Sequence, residues 1–97
     1  MEIDGKEYVL KYTFRMYYVY EEARRESYNG GVLGTNFLFF CCLTINNDGF
    51  RMNFEDFTDY LDKNPNKVYE FIQFLEANST DGKKKQRRKE TDRTGTV

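Results

Sequence analysis

The sequence contains no histidine and only two cysteines, which are the adjacent residues Cys41 and Cys42. Histidine is the usual general base near neutral pH, so its absence removes most catalytic-triad arrangements. A disulfide between neighbours is strained and rare, and zinc would need further ligands. We interpret the pair as small apolar residues in a buried helix, with a vicinal redox pair as the alternative. We therefore predict no catalytic, metal or cofactor site, and an enzyme is the least favoured class.

Long hydrophobic runs are also absent. The longest apolar run, residues 37–43, is far shorter than the ~20 residues that a membrane-spanning helix needs, and nothing resembles a signal peptide. We therefore expect a cytoplasmic protein with no membrane association. Of the 97 residues, 39% are hydrophobic and 18% are aromatic, so Phe and Tyr must supply much of a modest core.

Charge divides the chain into an acidic body and a basic tail. Residues 1–81 hold eight Lys or Arg and fourteen Asp or Glu, a net charge of −6, whereas residues 82–97 hold seven and two, a net charge of +5. The tail lacks large apolar residues apart from the final valine, so we expect one compact domain over 1–81 and a disordered basic tail over 82–97. The cluster in the tail consists of Lys83, Lys84, Lys85, Arg87, Arg88 and Lys89. We favour a solubilising tail or an electrostatic tether, with nonspecific binding to nucleic-acid phosphates as the alternative.

The N-terminal segment predicts a β-hairpin that leads into a helix. Asp4-Gly5 between extended runs is a strong signal for a tight turn, and an alternating segment, residues 8–14, would form the second strand. Thr13 is a candidate N-cap for a first helix that begins near Thr13 or Phe14 and ends before Asn29-Gly30-Gly31.

The middle of the chain is apolar on every side. We expect a connection over residues 32–36, with Thr35 or Asn36 as the cap of the next element. Periodicity allows residues 37–45 to be either a buried strand or a buried helix. The preceding cap and the sharp end at residues 46–49 favour a helix. Either structure must be covered by neighbouring elements or by a partner chain.

Two further helices follow. Asn53 is a good N-cap with acidic residues in the next turn, and Asn64-Pro65 closes one helix and opens another. Each helix is expected to turn one apolar stripe towards the core. The stripe of the first consists of Phe54, Phe57, Tyr60 and Leu61, and that of the second consists of Val68, Phe71, Ile72 and Leu75. The predicted fold is α+β, with an N-terminal β-hairpin packed on a small bundle of three to four helices.

Two segments carry a family resemblance. The first is the hairpin stretch Ile3-Asp4-Gly5-Lys6-Glu7-Tyr8-Val9-Leu10-Lys11-Tyr12-Thr13-Phe14. The second is Met52-Asn53-Phe54-Glu55-Asp56-Phe57 through Leu61-Asp62, followed by the Asn-Pro helix. Over residues 2–77 the chain resembles the tail assembly chaperones of long-tailed bacteriophages.

The resemblance implies a noncatalytic cytoplasmic protein that binds the tape measure protein, keeps it soluble and helps recruit tail tube subunits. It also implies self-association into a homo-oligomer and, in many members, a longer frameshifted form. A tape measure protein is long and helical with apolar stripes, which an aromatic-rich partner can cover. The aromatic residues that we predict to form this partner surface are Tyr17, Tyr18, Phe37, Phe39 and Phe40.

Two rival functions remain open. One is a small adaptor or inhibitor that binds a host protein, which nothing except the hairpin motif separates from a chaperone. The other is an accessory protein that binds nucleic acid through its basic tail, in which case the charge of the tail should be essential for binding.

Overall fold

The computed structural model describes residues 1–79, which form a small hairpin followed by four helices. The elements are β1 (Glu2–Ile3), β2 (Lys6–Glu7), α1 (Phe14–Arg24), α2 (Val32–Asn46), α3 (Phe54–Lys63) and α4 (Pro65–Asn78). The chain is therefore α+β and dominated by helix. The predicted basic tail over 82–97, with its cluster at 83–89, lies outside the described residues.

The hairpin forms at the predicted turn. Asp4 and Gly5 both have positive φ, 52° and 85°, and the register pairs Glu2 with Glu7 and Ile3 with Lys6. A type I′ turn requires positive φ at both central positions, which Asp and Gly supply readily. The Asp4-Gly5 turn is confirmed.

The predicted second strand over residues 8–14 is wrong, because β2 ends at Glu7 and the last backbone pairing of the hairpin is that of Tyr8 with Met1. Side chains at the end of α2 take the place of a strand partner. The Val9 N–H donates to Asn47 Oδ1 at 2.8 Å, and Asn47 Nδ2 donates to the Val9 carbonyl at 2.9 Å. The segment still places alternate side chains towards the core although it forms no β-ladder, since Tyr8, Leu10 and Tyr12 are partly buried against the core.

The first helix begins as predicted. Thr13 Oγ1 accepts a hydrogen bond from the Met16 N–H at 3.3 Å, which confirms Thr13 as the N-cap. The helix ends at Arg24, because Arg25 adopts a left-handed conformation and donates its N–H to the Glu21 carbonyl. Met16 and Tyr20 are the core residues of α1.

The helix prediction for residues 37–45 is confirmed, and the strand alternative is wrong. The predicted connection over residues 32–36 and the cap at Thr35 or Asn36 are also wrong, because α2 begins at Val32 with Gly31 as its N-cap. Gly30 and Gly31 have φ of 88° and 83°, values that suit glycine, so the chain turns directly into the helix. Helix α2 is central and packs against α1, α3 and α4.

The last two helices begin at the predicted residues. Asn53 Oδ1 accepts from the Asp56 N–H at 2.8 Å, which confirms this cap. Pro65 is the first residue of α4, as predicted, but the Asn64 side chain does not cap α4. Instead, Asn64 Nδ2 donates to the Tyr60 carbonyl at 2.9 Å and closes the end of α3.

The hairpin is tied to α3 and α4. The Asp4 N–H donates to the Tyr60 hydroxyl at 3.1 Å, and Lys67 Nζ lies 3.3 Å from Glu2 Oε1. Ile3 is buried in the common core. The core residues, all buried, are Ile3, Met16, Tyr20, Leu38, Phe39, Cys41, Cys42, Leu43, Phe50, Phe57, Leu61 and Phe71.

Candidate protein-interaction surface

Phe39, one of the five predicted partner residues, lies wholly inside the core. Its ring stacks on Phe71 with centroids 4.4 Å apart and meets the edge of Phe57 at 5.1 Å. None of its surface is exposed. A side chain without exposed surface cannot touch a partner, so Phe39 is removed from the predicted surface and assigned to the core.

Phe37 and Phe40 lie at the edge of the core and are partly buried. Both contact Phe54, at centroid distances of 5.0 Å and 5.4 Å, and Phe40 also meets Phe50 at 5.8 Å. Most of their contact area is therefore already used within the chain. They join α2 to α3 and to the loop between these helices.

Tyr17 and Tyr18 point in different directions from α1. Tyr17 is partly buried, and its hydroxyl lies 3.1 Å from the Tyr12 hydroxyl. Burial, followed by this hydrogen bond, raises the pKa of Tyr17 above its usual range. Tyr18 is 66% exposed and lines a surface hollow of α1 together with Arg15 and Glu22. The structure thus spreads the five predicted residues over core, core edge and surface instead of gathering them on one face.

Other exposed apolar side chains lie at the start of α2 and on α4. Val32 is 82% exposed, Tyr69 is 67% exposed and Leu33 is 51% exposed. Val32 and Tyr69 line a groove of about 540 Å³ between the start of α2 and the start of α4, with the end of α3 beside it. We call this feature the α2–α4 groove. Its lining residues are Gly31, Val32, Thr35, Asn36, Leu61, Asp62, Pro65, Val68, Tyr69 and Ile72.

Two helix starts shape the groove. Helix α2 begins at Val32, directly after its N-cap Gly31. Helix α4 begins at Pro65, directly after Asn64, the C-cap of α3. The stack of Phe39 on Phe71 holds the two helices together beneath. Because both helices are fixed from inside, the apolar groove is preformed, as binding sites commonly are.

Asp62 is the one charged residue that lines the groove, and within residues 1–79 it makes no salt bridge. No lysine or arginine lines the groove. Asn36 Oδ1 has no hydrogen-bond partner among the described residues, but it is buried and is not open to a partner. The groove therefore presents a single carboxylate.

A second hollow, of about 970 Å³, lies between the hairpin, α3 and α4 and is lined mainly by polar residues. It contains Lys63 and Lys67, the two lysines of α3 and α4. Hydrogen bonds from the Gly5 N–H and from Lys67 hold the pKa of Glu2 below its usual range. The cations of these two helices therefore line the hairpin side, away from the α2–α4 groove.

Neither cysteine is set up for chemistry. Cys41 and Cys42 are free and buried, and burial raises the pKa of Cys41 to about 11 and that of Cys42 in the same direction. Both are therefore protonated at neutral pH, and the thiol is a poor nucleophile.

No group of three or more metal-ligating side chains is found in the part of the chain that the structure describes. Over the same residues, no helix has the length and apolar character required to cross a membrane.

Comparison with protein-family models, with curated proteins and with solved structures found no match to this chain.

Sequence reasoning missed the groove for two reasons. It placed Val32 in a connection, and it did not include Tyr69 in the apolar stripe of α4. One signal did point there: a helix that is apolar all round requires cover on every side. The described chain leaves the first turn of α2 uncovered, and Val32 and Leu33 are exposed there.

Proposed function

We propose that the protein is a noncatalytic phage tail assembly chaperone, which binds and solubilises the tape measure protein and helps recruit tail tube subunits. The observation that carries this proposal is the preformed α2–α4 groove, with Val32 and Tyr69 exposed at its edges. Exposed apolar area of this kind is typical of a surface that binds another protein.

A tape measure protein is a suitable occupant because it is long and helical. Its apolar stripes must be covered until the tail tube encloses them, or the chains aggregate. A groove between helices accepts the apolar face of an amphipathic helix through contacts spaced at i, i+3, i+4 and i+7. Several copies of a small chain could cover successive turns of one long helix, which agrees with the self-association implied by the resemblance.

The hairpin that carries the resemblance has a structural role consistent with this proposal. It is tied to α3 and α4 by the Asp4–Tyr60 hydrogen bond and the Glu2–Lys67 salt bridge. It thereby supports α3 and α4, whose residues line much of the groove. A sequence feature shared with the chaperones thus stabilises the proposed binding surface.

The proposal is tested by co-expression with the tape measure protein of the same phage genome, followed by affinity purification and light scattering. We expect soluble tape measure protein in a complex of fixed stoichiometry. A tape measure protein that stays insoluble, with nothing co-purifying, would contradict the proposal and favour an adaptor that binds a host protein.

A variant whose basic cluster is neutralised distinguishes a chaperone from a nucleic-acid-binding protein. Its six substitutions to glutamine are at Lys83, Lys84, Lys85, Arg87, Arg88 and Lys89. A chaperone that works through the groove should retain the tape measure protein after these changes. A protein that acts by binding phosphate backbones should lose its activity, because neutralising cations removes the counterion-release contribution to affinity.

A further inference from the structure

The α2–α4 groove is lined mainly by apolar surface and carries the carboxylate of Asp62. We propose that it binds an amphipathic α-helix whose apolar stripe is flanked by lysine or arginine, with a cationic side chain next to Asp62. This inference rests on the proposed function, because it specifies which segment of a protein partner the groove selects.

The walls of the groove favour a helical occupant over an extended one. An extended peptide needs an exposed strand edge to pair its N–H and C=O groups. The groove is lined by helices and a helix cap, which offer no strand edge to an extended chain. A helix satisfies its own backbone and offers only side chains, so its apolar face can enter the groove without stranding polar groups.

The charges around the groove determine which charge is favoured beside the apolar stripe of that helix. Helix α2 carries no charged residue, whereas α3 and α4 together carry six carboxylates and two lysines. Both lysines, Lys63 and Lys67, line the hairpin side, so Asp62 faces the groove without a cation among the described residues. A basic flank on the occupant would complement this charge, and an acidic flank would be repelled.

The basic tail of the chain itself does not meet this description. Residues 83–97 supply cations but no large apolar residue except the final valine. The groove demands an apolar stripe as well as a cation, so we assign its occupant to a partner chain.

The test uses two designed peptides of about 18 residues, long enough to form a helix. They share one leucine stripe and differ only in flanking lysine or flanking glutamate. Fluorescence anisotropy with the full-length chain should show the lysine-flanked peptide binding about tenfold more tightly. Equal affinity for both peptides, or tighter binding of the glutamate-flanked one, would overturn the inference.

Charge reversal at one residue locates the effect. Asp62→Lys should reverse the preference between the two peptides, whereas Asp48→Lys, the same charge change after the far end of α2, should leave it intact. A preference that shifts equally in both variants would show a general effect of net charge and would overturn the role of Asp62.

A second pair of variants locates the groove without disturbing the fold. Val32 and Phe14 are each the first residue of a helix and are exposed by 82% and 74%. A neutral polar residue at these exposed positions changes no charge, so both Val32→Ser and Phe14→Ser should fold. Only Val32→Ser should weaken binding of the lysine-flanked peptide, because it removes an apolar contact from the groove. If the native chain is a dimer in sedimentation and Val32→Ser makes it a monomer, a second copy occupies the groove and the inference is wrong.

The two proposals fail separately. If the tape measure protein is recovered but the peptides show no charge preference, the chaperone function stands and the helix-charge inference falls. If the lysine-flanked peptide binds as described but the tape measure protein is never recovered, the groove is assigned correctly and the chaperone function is contradicted.

Discussion

Phe39 of α2 and Phe71 of α4 stack face to face, with ring centroids 4.4 Å apart and ring planes within 3° of parallel. Both rings are completely buried. The pair joins the two helices that form the walls of the α2–α4 groove, and Phe57 supports it edge-on from α3. The position of the groove therefore depends on a contact in the core, and this contact comes from a residue first predicted to lie on the partner surface.

Removing one ring of this stack should destabilise the whole chain. We expect Phe71→Ala to lower the free energy of unfolding by about 3–5 kcal/mol, since it leaves a large cavity in a closed core. Phe71→Leu should lower the free energy of unfolding by a smaller amount, so it can be measured even if the alanine variant does not fold. Urea denaturation followed by circular dichroism measures both. Tyr69→Ala, two residues away but 67% exposed, is the control and should change stability by no more than about 0.5 kcal/mol.

Gly34 and Tyr20 set the approach of α1 to α2. A Cβ at Gly34 would lie 2.9 Å from the Tyr20 hydroxyl oxygen, closer than real Cβ atoms come. We expect Gly34→Ala to lower the free energy of unfolding by about 1–3 kcal/mol, the usual cost of overpacking, although alanine is the better helix former.

A double-mutant cycle identifies the clash as the cause. Tyr20→Phe removes the hydroxyl, so it should recover most of the loss in the Gly34→Ala background. Gly49→Ala, where an added Cβ meets nothing within 4 Å, should not respond to Tyr20→Phe. A loss that persists in the double mutant would place the strain elsewhere.

The cap of α3 should contribute to stability on its own. Asn53 Oδ1 accepts from the Asp56 N–H at 2.8 Å, so Asn53→Ala should cost about 1 kcal/mol. Asn66→Ala is the matched control, because Asn66 is exposed and its side chain makes only a 3.5 Å contact with Glu70. Similar midpoints of thermal unfolding for the two variants would contradict the role of the cap.

Stability should fall in alkaline solution. Burial raises the pKa of Cys41 from 9.0 to about 11, so between these values the unfolded chain ionises while the folded chain stays protonated. The folded state then binds more protons, and the free energy of unfolding falls as pH rises through this window. Below pH 9 the contribution is constant. Urea midpoints measured from pH 8 to 11 should fall less steeply for Cys41→Ala, and an unchanged slope would contradict the shift.

Local signals in the sequence were sufficient to predict several parts of the fold. The Asp4-Gly5 turn, the Thr13 and Asn53 caps and the proline that begins α4 each depend on a few adjacent residues, and each is confirmed. The helix over residues 37–45 was also predicted correctly, from its flanking residues. These features are local because turns and caps satisfy backbone groups within one or two turns of chain.

Long-range pairing could not be predicted in the same way. The alternating residues 8–14 look like a strand, but their backbone is bonded to the side chains of Asn46 and Asn47 at the far end of α2. The division of the aromatic residues between core and surface also depends on how helices pack. Nothing local to Phe39 distinguishes it from Phe37, and nothing local to Val32 shows that α2 starts there and leaves it exposed.

We propose that this chain keeps an apolar helical partner soluble through the α2–α4 groove. Light scattering is followed after denatured tape measure protein is diluted into buffer containing the chain or one of its variants. The native chain and Phe14→Ser should suppress aggregation, and Val32→Ser should suppress it less. Scattering that the native chain leaves unchanged, or that Val32→Ser suppresses equally well, would rule out this role of the groove.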